Sequence, residues 1–184
     1  MDFKHRYAVS NGEAYFPSRP AEYVSMTRRI IRDGYFGLFA EERIPKGSVI
    51  GRSGGVLVTS AADAPPGKDY AALVAEGLLV VPHDYDNPGL LDSLNHSCRS
   101  NVARYGALLF VAKEDIRAGE EMTIDYAPLT AGLPERWEMS CACGQPGCRK
   151  LISSEEWHDP GLAAALWPEW LPFIQRKMLE AGIV

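Results

Sequence analysis

The chain has four cysteines, and their spacing favours a metal site. Cys98 stands alone, whereas Cys141, Cys143 and Cys148 fall within a stretch of eight residues. Three thiols this close in sequence cannot pair among themselves without strain, whereas four thiolates from two segments satisfy a closed tetrahedral zinc site. We therefore predict a structural zinc ion and expect the cluster to fold back onto the region around Asn95. Disulfide bonds in an oxidising compartment are the alternative.

Two further residues that could take part in binding or catalysis, Asn95 and His96, come just before Cys98. Taken alone they have ordinary interpretations. The run Asn95-His96-Ser97 matches a glycosylation sequon, and a lone histidine is usually a turn residue bound by backbone groups. Tyr126, which follows a predicted strand, would by itself be expected to pack its ring and hydrate its hydroxyl. The roles of Asn95, His96 and Tyr126 depend on the strands and loops that position them.

Short runs of β-branched and aromatic residues, separated by glycine and proline, occupy residues 24 to 126. This pattern predicts a mainly β domain of many short strands. The predicted strands are residues 24–26, 37–39, 48–50, 55–58, 78–81, 101–105, 108–112 and 121–124. Residues 69–76 fit either a helical turn or a strand.

The composition changes after residue 126. We expect a loop over residues 127–140, and the serines and acids of residues 153–156 suit the start of a helix. An amphipathic helix is predicted over residues 170–182, with an apolar stripe made of Trp170, Leu171, Ile174, Met178 and Leu179. We expect this stripe to pack on its own domain, with a dimer or partner surface as the alternative.

Length and charge narrow the function classes. A chain of 184 residues suits one compact domain, and a net charge of −5 argues against direct nucleic-acid binding, because such binding rests on lysines and arginines. A basic partner fits better. We expect no membrane association, since no apolar run approaches the roughly 20 residues of a spanning helix. The opening residues do not read as a signal peptide, so we expect an intracellular protein, cytoplasmic in preference to nuclear.

Four motifs, in order and spacing, resemble those of the SET-domain protein lysine methyltransferases with a post-SET zinc segment. They are Gly37-Leu38-Phe39-Ala40, Leu94-Asn95-His96-Ser97-Cys98, the run of residues 119–126 that ends in Tyr126, and the C-x-C-x4-C cluster of Cys141, Cys143 and Cys148. The resemblance covers residues 28–152. The short length and the helical tail look similar to small stand-alone bacterial members.

The resemblance implies a mainly β, β-clip-like SET fold of several short sheets with a C-terminal helical extension. In this fold the segment carrying Asn95 and His96 forms a pseudoknot with the C-terminal strand. The implied organisation is an N-terminal segment (residues 1–27), a SET domain (28–127), a post-SET zinc segment (128–152) and a C-terminal helical extension (153–184).

The resemblance also implies transfer of a methyl group from S-adenosylmethionine to a lysine ε-amine of a protein or peptide. It assigns cofactor binding to Gly37, Leu38, Phe39, Asn95 and His96. It makes Tyr126 the catalytic residue. It assigns a structural zinc ion to Cys98, Cys141, Cys143 and Cys148. The oligomeric state stays open, with a dimer through the C-terminal helix as one option.

Several positions depart from the family pattern. The first glycine of the N-terminal motif, Gly34, is displaced by one position, and Ile124 stands where the family commonly has phenylalanine or tyrosine. Asp92 and Ser93 also stand where many members have arginine and an aromatic residue, and the departures at Asp92, Ser93 and Ile124 leave room for a SET-like enzyme that acts on a small molecule. A catalytically inactive, zinc-stabilised interaction module is the other alternative, and the intact Asn95, His96 and Tyr126 argue against it.

Overall fold

A computed structural model describes residues 27–32, 35–59, 72–81, 90–133 and 135–184, with the backbone alone at residues 27–32, 35 and 36. Residues 24–26, where a strand was predicted, lie outside the described residues, as do nearly all of the N-terminal segment and Gly34.

Short strands dominate the described chain, and helices follow them, which confirms the predicted mainly β class with a C-terminal helical extension. The strands are β1 (Thr27–Arg32), β2 (Tyr35–Ala40), β3 (Val49–Arg52), β4 (Val56–Val58), β5 (Ala72–Ala75), β6 (Leu78–Val81), β7 (Asn95–His96), β8 (Val102–Tyr105), β9 (Leu109–Ala112), β10 (Glu121–Ile124), β11 (Glu138–Ser140) and β12 (Leu151–Ser153). The helices are α1 (Ala127–Thr130), α2 (Pro160–Ala165) and α3 (Pro172–Glu180), with 3₁₀ turns at Leu91–Ser93, Glu156–His158 and Trp167–Glu169. Within these residues, no helix is long and apolar enough to cross a bilayer.

Strand β10 organises the largest sheet. Within the described residues this sheet has the order β1-β2-β10-β8-β9-β3, and β7 also pairs with β10. Strand β10 runs antiparallel to β2 and parallel to β7 and β8. Strand β10 therefore lies between two strands that precede it in the sequence, β2 and β8. This pairing brings β2 and β7 to the strand that leads directly into Tyr126.

The first hydrophobic core lies against this sheet. Successive side chains of a strand point to opposite faces, so alternate residues of β10, Met122 and Ile124, are buried while their neighbours are partly exposed. They pack with other buried residues that include Leu38, Ile50 and Val102, and the ring of Tyr126 packs at the edge of this core. Full burial of an aliphatic side chain contributes about 1.5–3 kcal/mol, so this core fixes the register of β10.

The second hydrophobic core joins the C-terminal extension to a separate sheet of order β4-β6-β5. Ile174 and Met178 of α3 are fully buried there, together with Leu73 and Leu79 of β5 and β6. The predicted stripe therefore packs on its own chain. Leu179 is 59% exposed and does not belong to the stripe, because it lies on the other side of the helix from Ile174 and Met178.

Several element predictions near the C-terminus were wrong. The predicted loop at residues 127–140 contains α1 and β11, and β11 pairs with β12. Ser153 ends β12 instead of capping a helix, and its Oγ accepts the N–H of Glu155 at 3.2 Å. Helix α2 begins later, where the Asp159 carboxylate accepts the N–H of Leu162 at 2.8 Å and proline occupies the first turn. Within the ambiguous stretch of residues 69–76, residues 72–75 form strand β5, whereas residues 69–71 lie outside the described residues.

Candidate functional site: a cysteine cluster beside a tyrosine

The four cysteines converge as the sequence predicted. Their sulfur atoms all lie within 4.8 Å of one another. Cys141 Sγ lies 3.8 Å from Cys98 Sγ and 3.6 Å from Cys148 Sγ. A tetrahedral zinc site with Zn–S bonds of about 2.3 Å places its sulfurs about 3.8 Å apart. Both the donor set and its spacing therefore fit a structural Zn²⁺ ion.

Local backbone conformation closes the second half of this cluster. Gly144 and Gly147 have φ values of 67° and 78°, a region that glycine enters without steric cost. The Cys148 N–H donates to the Gln145 carbonyl at 3.0 Å, and the Cys141 N–H donates to the Lys150 carbonyl at 2.7 Å. The glycines thus allow a compact loop that directs three sulfurs to one point.

Three of the thiols differ in acidity. Burial raises the pKa of Cys98 to about 12 and also raises that of Cys141. Burial acts in the same direction on Cys143, but backbone N–H donors, among them that of Gln145, outweigh it and lower the pKa of Cys143 to about 6. Because thiolates are the metal ligands, metal binding has to release the protons that burial retains on Cys98 and Cys141.

A second group of predicted residues meets at Glu121. The Asn95 side-chain amide donates to Glu121 Oε1 at 2.9 Å. Gly37 is buried, and a Cβ placed on it would lie 2.7 Å from the Phe39 ring and 3.0 Å from Glu121 Oε1. Any side chain at position 37 would therefore displace its neighbours. Glu121 was not predicted as a site residue, although it stands in the motif that ends in Tyr126.

Two other residues predicted to bind a cofactor lie on β2. The Leu38 side chain is fully buried in the first core, so a contact with a ligand would have to go through its backbone. Phe39 is partly exposed and lies opposite Glu121 in the sheet.

The Tyr126 hydroxyl is held in one direction. It donates to the Leu94 carbonyl at 2.8 Å, across 32 residues of sequence. The ring lies next to His96, with centroids 5.4 Å apart, and next to Trp137, with centroids 6.2 Å apart. Trp137 was not predicted, because it stands in a segment that we expected to be an irregular loop.

His96 connects Tyr126 to the cysteine cluster. Its Nδ1 accepts the backbone N–H of Tyr126 at 3.1 Å, so the neutral ring carries its proton on Nε2, which lies 3.3 Å from Cys98 Sγ. Burial is the main reason that the pKa of His96 is lowered, which favours this neutral form. Both ring nitrogens face protein groups, so contact with a cofactor would fall to the His96 backbone.

The sequence did not reveal a network of three charged side chains, one buried and two partly buried, that includes Asp125, the residue before Tyr126. Arg149 donates two hydrogen bonds of 2.7 Å to the carboxylate of Asp125, and its Nε lies 2.6 Å from Glu156 Oε1. Their side chains are 19%, 2% and 14% exposed, respectively. The only sequence signal was position: Asp125 precedes Tyr126 and Arg149 follows Cys148.

Comparison with known protein families finds a match to the central part of this chain. A family model described as SET domain matches residues 35–127, which is about half of the chain. The match contains Gly37, Asn95, His96 and Tyr126.

Curated relatives share this region at modest identity. A histone-lysine N-methyltransferase described as H3 lysine-4 specific, from Mycosarcoma maydis, is 31% identical over 133 residues, which cover 64% of this chain and 9% of that protein. The histone-lysine N-methyltransferase TRX1 of Oryza sativa subsp. japonica is 25% identical over 177 residues, which cover 85% of this chain and 17% of that protein. The chain therefore spans less than a fifth of the length of either relative.

A solved structure has the same fold. KRYPTONITE, crystallised in complex with mCHG DNA and SAH, aligns with a TM-score of 0.50 and 21% sequence identity over 63% of this chain and 26% of that chain. This likeness concerns the arrangement of strands around the site.

Proposed function

The chain belongs to the SET-domain family, and from this premise we propose that it transfers a methyl group from S-adenosylmethionine to the ε-amine of lysine in a protein substrate. The observation that carries the proposal is the pairing of β10 with two earlier strands, with β2 through Glu121 and Met122 and with β7 through Thr123 and Ile124. Through this pairing, Gly37, Asn95 and Tyr126, which match the family's motifs, come from distant parts of the sequence to one strand.

The residues around Glu121 suit the cofactor. When bound, S-adenosylmethionine supplies an electrophilic methyl group on a positively charged sulfur. We propose that the backbone at Gly37 approaches the ligand closely, as the family's glycine motif implies, because a Cβ there would press on the Phe39 ring and on Glu121 Oε1. Asn95 and the backbones of Leu38, Phe39 and His96 would complete the binding surface. The Glu121 carboxylate, 2.9 Å from the Asn95 amide, would orient that amide.

Tyr126 would act at the point of transfer. Its O–H donates to the Leu94 carbonyl at 2.8 Å, which fixes the orientation of the phenol. A phenolic oxygen also accepts hydrogen bonds, so an oxygen held in this way can orient the amine and stabilise the electropositive methyl group. Positioning of this kind supplies much of the acceleration in a direct transfer between two bound groups.

The target lysine has to react as a free amine. With a pKa of about 10.4, its deprotonation at pH 7 costs about 4 to 5 kcal/mol. An apolar channel lowers that pKa by desolvation. We propose that the rings of Tyr126 and Trp137, whose centroids are 6.2 Å apart, form part of such a wall.

A basic protein is our proposal for the substrate. The chain carries a net charge of −5, and the two relatives are named for action on histone lysines. Complementary charge accelerates encounter between partners. The proposed zinc ion is structural and holds the segment of residues 141–148 against Cys98, beside His96 and Tyr126.

The variant Tyr126→Phe tests the proposal. We expect transfer of labelled methyl from S-adenosylmethionine to protein to fall about 100-fold, because the oriented hydroxyl is lost, while cofactor affinity stays within about threefold. Binding is measured by calorimetry and transfer by incorporation of label into basic proteins, lysine peptides and small amines.

Tyr105→Phe is the matched control, since Tyr105 is 64% exposed and belongs to β8. It should label as the wild type does. If Tyr126→Phe transfers as much label as the wild type, Tyr126 is not the catalytic residue. Failure of the wild type to bind the cofactor would favour an interaction module, and labelling of small amines alone would favour a small-molecule substrate.

A further inference from the structure

Arg149 stands between the cysteine cluster and the candidate active site. It follows Cys148 directly, and its backbone N–H donates to Cys98 Sγ at 3.4 Å. Its guanidinium points the other way and binds the Asp125 carboxylate through two hydrogen bonds of 2.7 Å. One residue therefore contacts a predicted metal ligand with its backbone and a buried carboxylate with its side chain.

Asp125 in turn holds the backbone around Tyr126. Its Oδ1 accepts the N–H of Ala127 at 3.0 Å, at the start of α1. The Tyr126 N–H is bound by His96 Nδ1 at 3.1 Å, and His96 Nε2 lies 3.3 Å from Cys98 Sγ. Both amides that flank the Tyr126 side chain are thus bound by groups connected to the cysteine cluster.

The charges make this arrangement specific for arginine. A guanidinium presents several N–H donors in a fixed plane, which matches a carboxylate in two-point contact. The guanidinium charge is compensated by the two hydrogen bonds to the Asp125 carboxylate and by Glu156 Oε1, which lies 2.6 Å from Arg149 Nε. The cation is therefore retained in a site that is largely closed to solvent. Removal of the Arg149 side chain would leave the Asp125 carboxylate buried without its counter-ion.

We propose that Arg149 is a positioning residue that transmits the order of the cysteine cluster to Tyr126 through Asp125. In this view the zinc segment does more than cover the site. The segment also holds the backbone at Tyr126 in place and so sets the position of the Tyr126 hydroxyl. Glu156, the third member of the network, attaches the start of the C-terminal extension to the same guanidinium. The inference rests on the proposed function for its catalytic consequence, but its structural part can be tested without turnover.

The structural test is amide hydrogen exchange in the zinc-loaded full chain, with Arg149→Met as the variant. We expect the Tyr126 and Ala127 amides to exchange about tenfold faster or more, because Asp125, which accepts the Ala127 N–H and lies 3.9 Å from His96 Nδ1, is no longer held in place. Arg136→Met is the matched control, because Arg136 lies in the segment leading to β11 and pairs on the surface with Glu138. It should leave both amides unchanged.

The catalytic test uses the same proteins with S-adenosylmethionine and a lysine peptide that the wild type methylates. We expect Arg149→Met to lower kcat by about 10- to 100-fold, with the cofactor KM within about threefold and one zinc ion retained per chain. Asp125→Asn keeps an oxygen that can accept the Ala127 N–H but removes the charge, and it should lower kcat by a similar factor. The double variant should be no worse than the worse single variant, because both remove one contact.

Arg149→Lys keeps the charge without the two-point contact, and it should give exchange rates and kcat between those of the wild type and Arg149→Met. Unchanged exchange at Tyr126 and Ala127 in Arg149→Met would overturn the inference. So would multiplicative effects in the double variant, or loss of zinc with normal kcat per loaded molecule. A wild type that shows no turnover would contradict the proposed function alone, since the exchange result still decides the role of Arg149.

Discussion

At the scale of single residues, His96 shows how a motif side chain can serve the protein instead of a ligand. The ring is neutral and buried, with one nitrogen bound to the Tyr126 backbone and the other facing Cys98. The folded chain therefore resists protonation of this ring more than the unfolded chain does.

The contribution of His96 to stability should therefore depend on pH. Burial lowers the pKa of His96 below the ordinary value of 6.5. A histidine with a lowered pKa stabilises the fold fully above the unfolded-state value, and the contribution is lost as pH falls through the lower folded-state value. We expect His96→Leu to reduce the free energy of unfolding by about 1–3 kcal/mol at pH 8, because the Tyr126 N–H loses its acceptor, and by less near pH 5.

Urea denaturation at the two pH values measures this difference, with zinc in fixed excess. His158→Leu is the control, since the His158 side chain is about half exposed. Its effect should be small at both pH values. A His96→Leu effect of equal size at pH 8 and pH 5 would show that the state of the ring does not contribute.

The site residues that the sequence revealed are those with a recognisable local motif. Asn95, His96, Tyr126 and the cysteines each stand in a short run whose order resembles the family. Arg149 and Asp125 could not be paired in this way. They lie 24 residues apart, and only the pairing of β10 and the fold of the cysteine loop bring them together.

At the scale of elements, the length of a strand determined whether the sequence pattern could predict it. Strands such as β9 and β10 have four residues with alternating burial, so their pattern is visible. Strand β7 has two residues and β12 has three, which is too short for a period to appear. Helix α1 is only four residues long and directly follows Tyr126, so it also lacked a helical pattern.

Helix α3 offers a direct test of its buried face. Ile174 is fully buried, whereas Leu179 on the same helix is 59% exposed. We expect Ile174→Ala to lower the free energy of unfolding by about 2–5 kcal/mol, since it leaves a cavity in the second core. Leu179→Ala should change it by about 0.5 kcal/mol or less.

Guanidinium denaturation measures the free energy of unfolding of both variants. The two variants carry the same type of substitution on the same helix, so their values can be compared directly. Equal destabilisation by both would contradict the packing described for α3. A large effect at Leu179 alone would place the buried stripe on the opposite face of the helix.

At the scale of the whole molecule, the cysteine cluster joins two distant parts of the chain. Cys98 belongs to the segment after β7, and its partners lie more than 40 residues further on. A metal bound at all four sulfurs therefore cross-links the core to the segment that carries Arg149.

Removal of one ligand should break this link. We expect Cys148→Ser to reduce bound zinc well below one ion per chain and to lower stability by several kcal/mol, because metal binding and folding of this segment are coupled. Elemental analysis and limited proteolysis measure the two effects. Ser140→Ala, at an exposed position on β11, should change neither. Wild-type protein that is free of metal yet equally stable and protease-resistant would contradict a structural zinc.

The proposed activity is tested most directly by mass spectrometry of a basic protein incubated with the purified chain and S-adenosylmethionine. We predict methyl groups on lysine ε-amines that form with the wild type and fall about 100-fold with Tyr126→Phe. A protein that binds the cofactor but leaves every lysine unmodified, or modifies them equally without the Tyr126 hydroxyl, would contradict the account.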